Sequence, residues 1–323
     1  MPEIVSVAVA ISTRERPEAL ARCLDALLAG ETLPAEIVVV DQSRDRRSAE
    51  VVERATAGSP RGVELRHLRH EGAGLGASQN VAFHAARQEV VAVTDDDCVV
   101  DPRWLTAVAA AFAEPHPVDL LTGRVMPLGP DAPARVAVSS RTSPVRLELG
   151  PETLPWDAGS GNNFAVRRAH YLALGGCDER LGPGSPGLGG VDMDLFYRLL
   201  RAGARGRYEP DAVVFHERVA PADRLARRRP YGYGMGACCA LRAAEGDRGA
   251  RRLFRRWLGL RLRLLASGLR RFDATRVREE LIVLVGTFAG FRAGRGIGNA
   301  ATAPGEGSTR PASPGTLDEG GTR

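Results

Sequence analysis

Apolar runs of strand length recur through the first hundred residues, and each ends abruptly in polar or acidic positions. Residues 4–11 are almost unbroken and stop at Ser12-Thr13-Arg14-Glu15-Arg16-Pro17. Residues 35–40 repeat the pattern and end at Asp41-Gln42-Ser43, residues 62–70 alternate, and residues 90–94 run into Asp95-Asp96-Asp97. Continuous apolar runs fit parallel strands covered on both faces. Between them lie helix-like segments from Pro17 to about Ala29, from the Arg- and Glu-rich stretch to about Ala57, and over residues 78–87. This alternation predicts a doubly wound, mostly parallel α/β sheet. Ligands bind beyond the carboxyl ends of such strands. Thr13 to Glu15, Asp41 and Asp95 to Asp97 all fall there, so one cleft would gather them.

The pattern changes after Asp101. A helix over 102–113 and a strand over 118–126 lead into a proline-rich section, then Gly159-Ser160-Gly161-Asn162-Asn163 and a Gly/Pro-rich loop over 182–190. A helix follows from Val191 to about Ala202, and an apolar strand over 211–215 ends at His216-Glu217. Long loops over a rigid sheet suit a variable substrate site. Beyond residue 222 the chain is helical and basic. Leu253, Trp257, Leu260 and Leu264 fall in line at helical spacing, with Arg252, Arg256, Arg263 and Arg270 on another face. That pattern fits a helix lying on an anionic membrane surface, and fits equally a helix packed on the body or at a dimer interface. From residue 298 the composition is that of a disordered tail.

Three adjacent aspartates at a strand end repel one another, and a hard divalent cation with oxygen ligands would relieve them. An acidic turn capping the helix that opens at Asp101-Pro102 is the simpler alternative. The glycines of 72–76 lack the spacing of a dinucleotide fingerprint and read as a tight turn or a phosphate-contacting loop. Asp192 and Asp194 occupy the first turn of a helix, where they serve either as caps or, carried by the flexible loop before them, as groups that approach a substrate. His216 is a structural histidine or a ligand.

Composition narrows the chemistry. All 44 basic residues of the 323 are Arg, which excludes Schiff-base catalysis and a P-loop lysine. The five cysteines are scattered without zinc or disulfide spacing, as in a reducing compartment. No cleavable leader opens the chain, and the longest apolar run, 281–291, is too short for a membrane span, so a soluble or peripheral protein of the cytoplasm, or of the inner face of the membrane, is expected. Residues 224–297 hold eighteen Arg against five acids, a net of +13 that leaves the rest of the chain at −8. No interleaved aromatic pattern accompanies the basic charge, which argues against nucleic acid.

Taken in order, these stretches resemble the family 2 inverting glycosyltransferases over roughly residues 5–216. Residues 7–18 are similar to the family's opening strand and donor loop, Val38-Val39-Val40-Asp41 to its base-contacting Asp, Thr94-Asp95-Asp96-Asp97 to its DxD motif, and Asp192-Met193-Asp194-Leu195 to the segment carrying the base. The resemblance implies a GT-A type doubly wound sheet: a Rossmann-like nucleotide-sugar-binding half over 1–100, an acceptor half over 101–222, a basic helical extension over 223–297 and the tail over 298–323. It also implies transfer of a sugar from a nucleotide-sugar donor to a hydroxyl acceptor, borne by a glycan, a lipid or a small molecule. Thr13, Glu15 and Asp41 would hold the nucleotide, Asp95 its ribose, and Asp97 with His216 a Mg²⁺ or Mn²⁺ ion. Asp96 shares that donor wall, Asp192 matches the general base, and Trp156, Asn162, Asn163 and Asp194 stand on the acceptor side. Arg side chains among 227–229 would help with diphosphate charge. Val191 and Gln79 depart from the Glu and Arg common at those positions. A sugar nucleotidyltransferase, or a catalytically silent membrane-surface module of the same fold, are the alternatives; residues 249–297 would supply the membrane contact.

Overall fold

A computed structural model describes residues 2–115 and 118–301; the tail expected from residue 298 lies, past Ala301, outside the described residues. The chain runs β1 (Glu3–Thr13), α1 (Pro17–Leu28), β2 (Thr32–Asp41), α2 (Arg47–Ala57), β3 (Glu64–Arg69), α3 (Leu75–Ala85), β4 (Val90–Asp95), β5 (Cys98–Val100), α4 (Trp104–Ala113) and β6 (Leu120–Pro127). It continues as β7 (Leu147–Leu149), α5 (Pro155–Ala158), β8 (Asn163–Arg167), α6 (Arg168–Ala173), α7 (Val191–Arg201), β9 (Gly206–His216), α8 (Pro221–Ala244), α9 (Ala250–Arg270) and α10 (Ala274–Ala301).

The strands form one sheet in the order β3-β2-β1-β4-β8-β6-β9-β5, with β7 on β9. β1, β2, β3 and β4 are parallel, so their polar ends at Thr13, Asp41 and Asp95 all emerge on the same edge. The register sets Ser12 beside Asp95 and Thr13 beside Asp41. Apolar runs bury both faces of this half: Val7, Val9 and Ile11 meet α1 and α4 on one side, while Ala8, Ala10, Val91 and Val93 meet Phe83 and the helices opposite. The sheet is mixed beyond β4. β8, which the apolar pattern does not mark as a strand, enters antiparallel between β4 and β6.

The basic C-terminal region is no appendage. α8 sends Ala237, Cys238 and Leu241 into the same core as β1 and β4, so that core crosses the boundary expected at residue 222. α10 lies along α8 with glycines at the contacts. Cβ atoms added at Gly232 and Gly236 of α8 would overlap the backbone of Val283 and Thr287, and Cβ atoms at Gly286 and Gly290 of α10 would overlap Arg229 and Tyr233. In α9, Leu253 and Trp257 are buried against the body, not turned outward as the membrane-lying alternative requires, and Leu260 and Leu264 are partly buried.

The glycine segment is shorter as a loop than its composition implies. Gly74 adopts φ 108°, α3 begins at Leu75, and Gly76 already belongs to its first turn. The Leu75 N–H donates to the Pro183 carbonyl, which ties this turn to the 182–190 loop.

Candidate active site

The strand ends open onto a cleft of about 800 Å³. One wall carries Ser12, Thr13, Arg16, Gln42 and Asp95 to Asp97; the opposite wall carries Trp156, Gly159 to Asn162, Leu188 to Met193 and Tyr231. Thr13, Asp95, Asp96, Asp97, His216, Trp156, Asn162 and Asp192 are therefore brought together as expected from the sequence, whereas Glu15, Asp41, Asn163 and Asp194 are not.

Each absence has a physical reason. Asp41 is fully buried; its Oδ1 accepts the Ser43 N–H at 2.8 Å and its Oδ2 lies 3.0 Å from His67 Nε2. Gln42, one residue later, faces the cleft instead. Glu15 sits at φ 56°, holds Ser43 Oγ through its N–H, and lines an adjoining groove with Arg16, Glu217, Arg218 and Arg227. Asn163 points into the sheet, where Oδ1 accepts Trp104 Nε1–H at 2.9 Å and Nδ2 donates to the carbonyls of Arg124 and Ala212. It fills the irregularity between β6 and β9 next to Gly123, whose missing side chain leaves room for it. Asp194 is an interior residue: Oδ2 accepts Arg198 Nε–H at 2.6 Å, and Oδ1 is 3.0 Å from Arg242 Nε.

The aspartate triplet divides its work. Asp96 is buried and anchors the β1 loop, accepting Thr13 Oγ1–H at 2.8 Å and Arg16 Nη1–H at 3.2 Å. The same Arg16 nitrogen donates to Asp97 Oδ2 at 3.1 Å. Arg16 is a cleft residue beyond the expected set. The signal was available: in a chain without Lys, three carboxylates at the end of β4 need a guanidinium from the neighbouring strand's loop, and only Arg14 and Arg16 stand there. Asp95 remains partly exposed, but the surrounding protein and the charges of Asp97, Asp96 and Asp192 push its carboxyl well above the usual range.

Asp97 Oδ1 is buried with no hydrogen-bond partner and faces His216 Nε2 at 3.5 Å. Donor atoms of Asp97, His216 and Cys98 lie within 4.8 Å of one another. An orphaned carboxylate oxygen beside an imidazole fits a divalent cation, and Asp97 and His216 would be the residues to hold one.

Asp192 occupies the opposite wall. Gly190 at φ 78° turns the chain into α7, and the Gly161 N–H donates to Asp192 Oδ2 at 3.0 Å. A Cβ at Gly161 would stand 2.8 Å from Asp192 Cβ, so the carboxylate rests directly on the backbone before β8. Burial pushes this carboxyl up, with the N–H groups of Met193 and Gly161 pulling the other way. Beside it, Asn162 is buried with neither side-chain nitrogen nor oxygen paired within the protein. An amide in that condition carries an unmet demand for a polar group on a ligand. Trp156 lines the same wall, tilted against Trp257 at 5.3 Å, and Trp257 in turn meets Tyr231 at 5.4 Å.

An ion network fixes α7 from behind. Arg242 of α8 pairs with Asp194, Asp178 and Glu245, and Arg198 completes the cage around Asp194. Breaking a buried pair leaves an uncompensated charge. Arg242→Met is expected to lower unfolding free energy by about 3 kcal/mol, read by urea denaturation.

The sheet and its two-walled cleft define a GT-A glycosyltransferase fold. Solved structures share it at low identity. A mannosyltransferase from Pyrobaculum calidifontis, in complex with GDP-Man and Mn²⁺, superposes with a TM-score of 0.56 at 19% identity, covering 89% of each chain. Staphylococcus aureus TarS 1–349 in complex with UDP-GlcNAc gives 0.54 at 16% identity over 90% of this chain and 92% of that one. Among proteins of known sequence, the pre-mycofactocin glycosyltransferase of Mycobacterium tuberculosis is 30% identical over 251 residues, 75% of this chain and 49% of its own length. The chain thus spans about half the length of that relative. Galactofuranosyltransferase GlfT1 of the same organism is 29% identical over 221 residues, 65% of this chain and 70% of GlfT1. The family model for glycosyl transferase family 2 matches residues 8–164, and that for glycosyl transferase family group 2 matches residues 90–290. The chain belongs to glycosyltransferase family 2.

Proposed function

We propose that this protein transfers a sugar from a nucleotide-sugar donor to a hydroxyl acceptor by direct displacement, with inversion at the anomeric carbon. The observation that carries the reading is the pairing of two unlike walls. One holds Asp95 to Asp97 with His216, and the other holds Asp192 beside the unpaired amide of Asn162. The nucleotide lies along Thr13, Gln42 and Asp95, with its diphosphate toward Asp97 and Arg227. The acceptor hydroxyl lies against Asp192, where Asn162 orients a neighbouring polar group. As the acceptor oxygen forms its bond to the anomeric carbon, the Asp192 carboxylate takes the hydroxyl proton, and the bond to the nucleoside diphosphate breaks. A divalent cation, when bound at Asp97 and His216, would neutralise the leaving diphosphate. A carboxyl raised by burial is the better proton acceptor for this task than one of ordinary acidity. Trp156 presents an aromatic face on which a sugar ring can stack.

Donor binding is expected to depend on the cation. With Mn²⁺ and a matching nucleotide sugar at about 100 times Kd, the melting temperature rises by about 4 °C. Asp97→Asn abolishes the Mn²⁺-dependent part of that rise. A screen of nucleotide sugars with Mn²⁺ or Mg²⁺ that gives neither a shift nor donor hydrolysis removes the reading.

A further inference from the structure

Ten large hydrophobic side chains are well exposed among the described residues, and six of them fall between residues 262 and 288. They are Leu262 and Leu269 on α9, Phe272 in the turn, and Leu281, Val285 and Phe288 on α10. Spacings of seven on α9, and of four and three on α10, put each set on one helix face. Arg261 pairs with Glu280, so the adjacent Leu262 and Leu281 stand at the same level of the hairpin. Phe272, at the tip, is 95% exposed. Its ring is left in water at the end of a row of exposed apolar side chains, and such a row marks a contact surface.

The charge around this stripe is predominantly positive. Arg251, Arg252, Arg255, Arg256, Arg263, Arg270, Arg271, Arg278, Arg292 and Arg295 are all exposed. Two of the hairpin's three acids are held by arginines, and the third, Asp273, is exposed beside Phe272. Glu279 is buried against Arg224 and Arg228, Glu280 against Arg261, and Asp273 accepts the Arg276 N–H at the start of α10. Two copies of such a face would repel each other, whereas apolar side chains between arginines match a lipid bilayer bearing anionic headgroups. No described helix is long and apolar enough to cross a membrane, so the contact is made from one side.

We propose that the α9–α10 hairpin docks this protein onto an anionic membrane surface, with Phe272 and Leu269 entering the acyl boundary and the surrounding arginines engaging headgroups. The stripe differs from the Leu253 and Trp257 line, which packs inward. The same hairpin supports the cleft: Trp257, on α9, holds Trp156 and Tyr231 of the cleft wall.

The test is sedimentation of the full chain with vesicles at 0.1 M salt, a measurement that needs no donor, acceptor or activity. Vesicles of equal phosphatidylglycerol and phosphatidylcholine are expected to pellet the protein at least tenfold better than phosphatidylcholine alone. Leu269→Asp with Phe272→Asp lowers binding at least about tenfold through lost apolar burial, and Arg270→Gln with Arg271→Gln lowers it about thirtyfold through lost headgroup attraction. Both pairs are exposed, so melting temperatures stay at the parent value, and each pair checks the other. Failure to pellet with anionic vesicles, or pelleting unchanged by both pairs, overturns the proposal. So does a dimer in solution that Leu269→Asp with Phe272→Asp dissociates while vesicles bind nothing.

Discussion

Asp192→Asn lowers kcat by about a thousandfold and leaves donor binding intact, as read by single-turnover transfer beside calorimetric donor titration. The substitution keeps the shape and the bond from the Gly161 N–H but removes the proton acceptor. Thermal stability should hold or rise. The folded chain binds the Asp192 proton more tightly than the unfolded chain does. Its contribution to stability is therefore complete below the ordinary carboxylate value and is lost as pH rises through the raised one. At neutral pH the carboxylate is thus a cost to the fold, and a neutral amide relieves it, the usual opposition between stability and function at a site. The same shift governs rate. Transfer needs the ionised base, so the acid limb of kcat/KM lies above the ordinary carboxylate range. An acid limb at the ordinary value, or an active Asp192→Asn protein, contradicts the assignment.

Gly290→Ala destabilises the protein by at least about 3 kcal/mol, read by chemical denaturation. Its new Cβ would overlap the Tyr233 carbonyl oxygen on α8, and neither backbone can move without opening the helix pair. Gly259→Ala is the opposite case. Nothing lies within 4 Å of a Cβ there, so the same substitution inside α9 stabilises by about 0.5–1 kcal/mol. Opposite signs for one chemical change separate close packing from helix propensity.

The parallel half of the sheet, β1 to β4, was legible in the sequence because its signal is local. Parallel strands buried on both faces must be continuous apolar runs, and their polar ends in Thr13 and Asp95 to Asp97 name the edge where ligands bind. The mixed half of the sheet depends on pairings that local pattern does not encode. β8 is five residues with Asn163 at its start, and it becomes a strand by filling the gap between β4 and β6. Asn162 and Asn163 are indistinguishable in sequence, yet strand alternation turns the second into the sheet and leaves the first in the cleft. Asp192 and Asp194 pose the same problem on a helix. Two residues apart they lie on different faces, and only the arginines arriving from Arg198 and Arg242 decide which is structural. Asp41 misled because a strand-end carboxylate reads alike whether it faces a ligand or, as here, bonds Ser43 and His67.

The seat of Asp192 on the Gly161 backbone bears on chimeras between relatives. The turn that shapes this wall of the cleft is also the ruler for the carboxylate, since Gly161 supplies both the N–H and the room for its Cβ. A loop transplanted over residues 128–160 is expected to shift that turn and displace the Asp192 carboxylate with it. A graft that moves residues 128–194 as one block, with Arg242 retained in the recipient to receive Asp194, is expected to keep that seat intact.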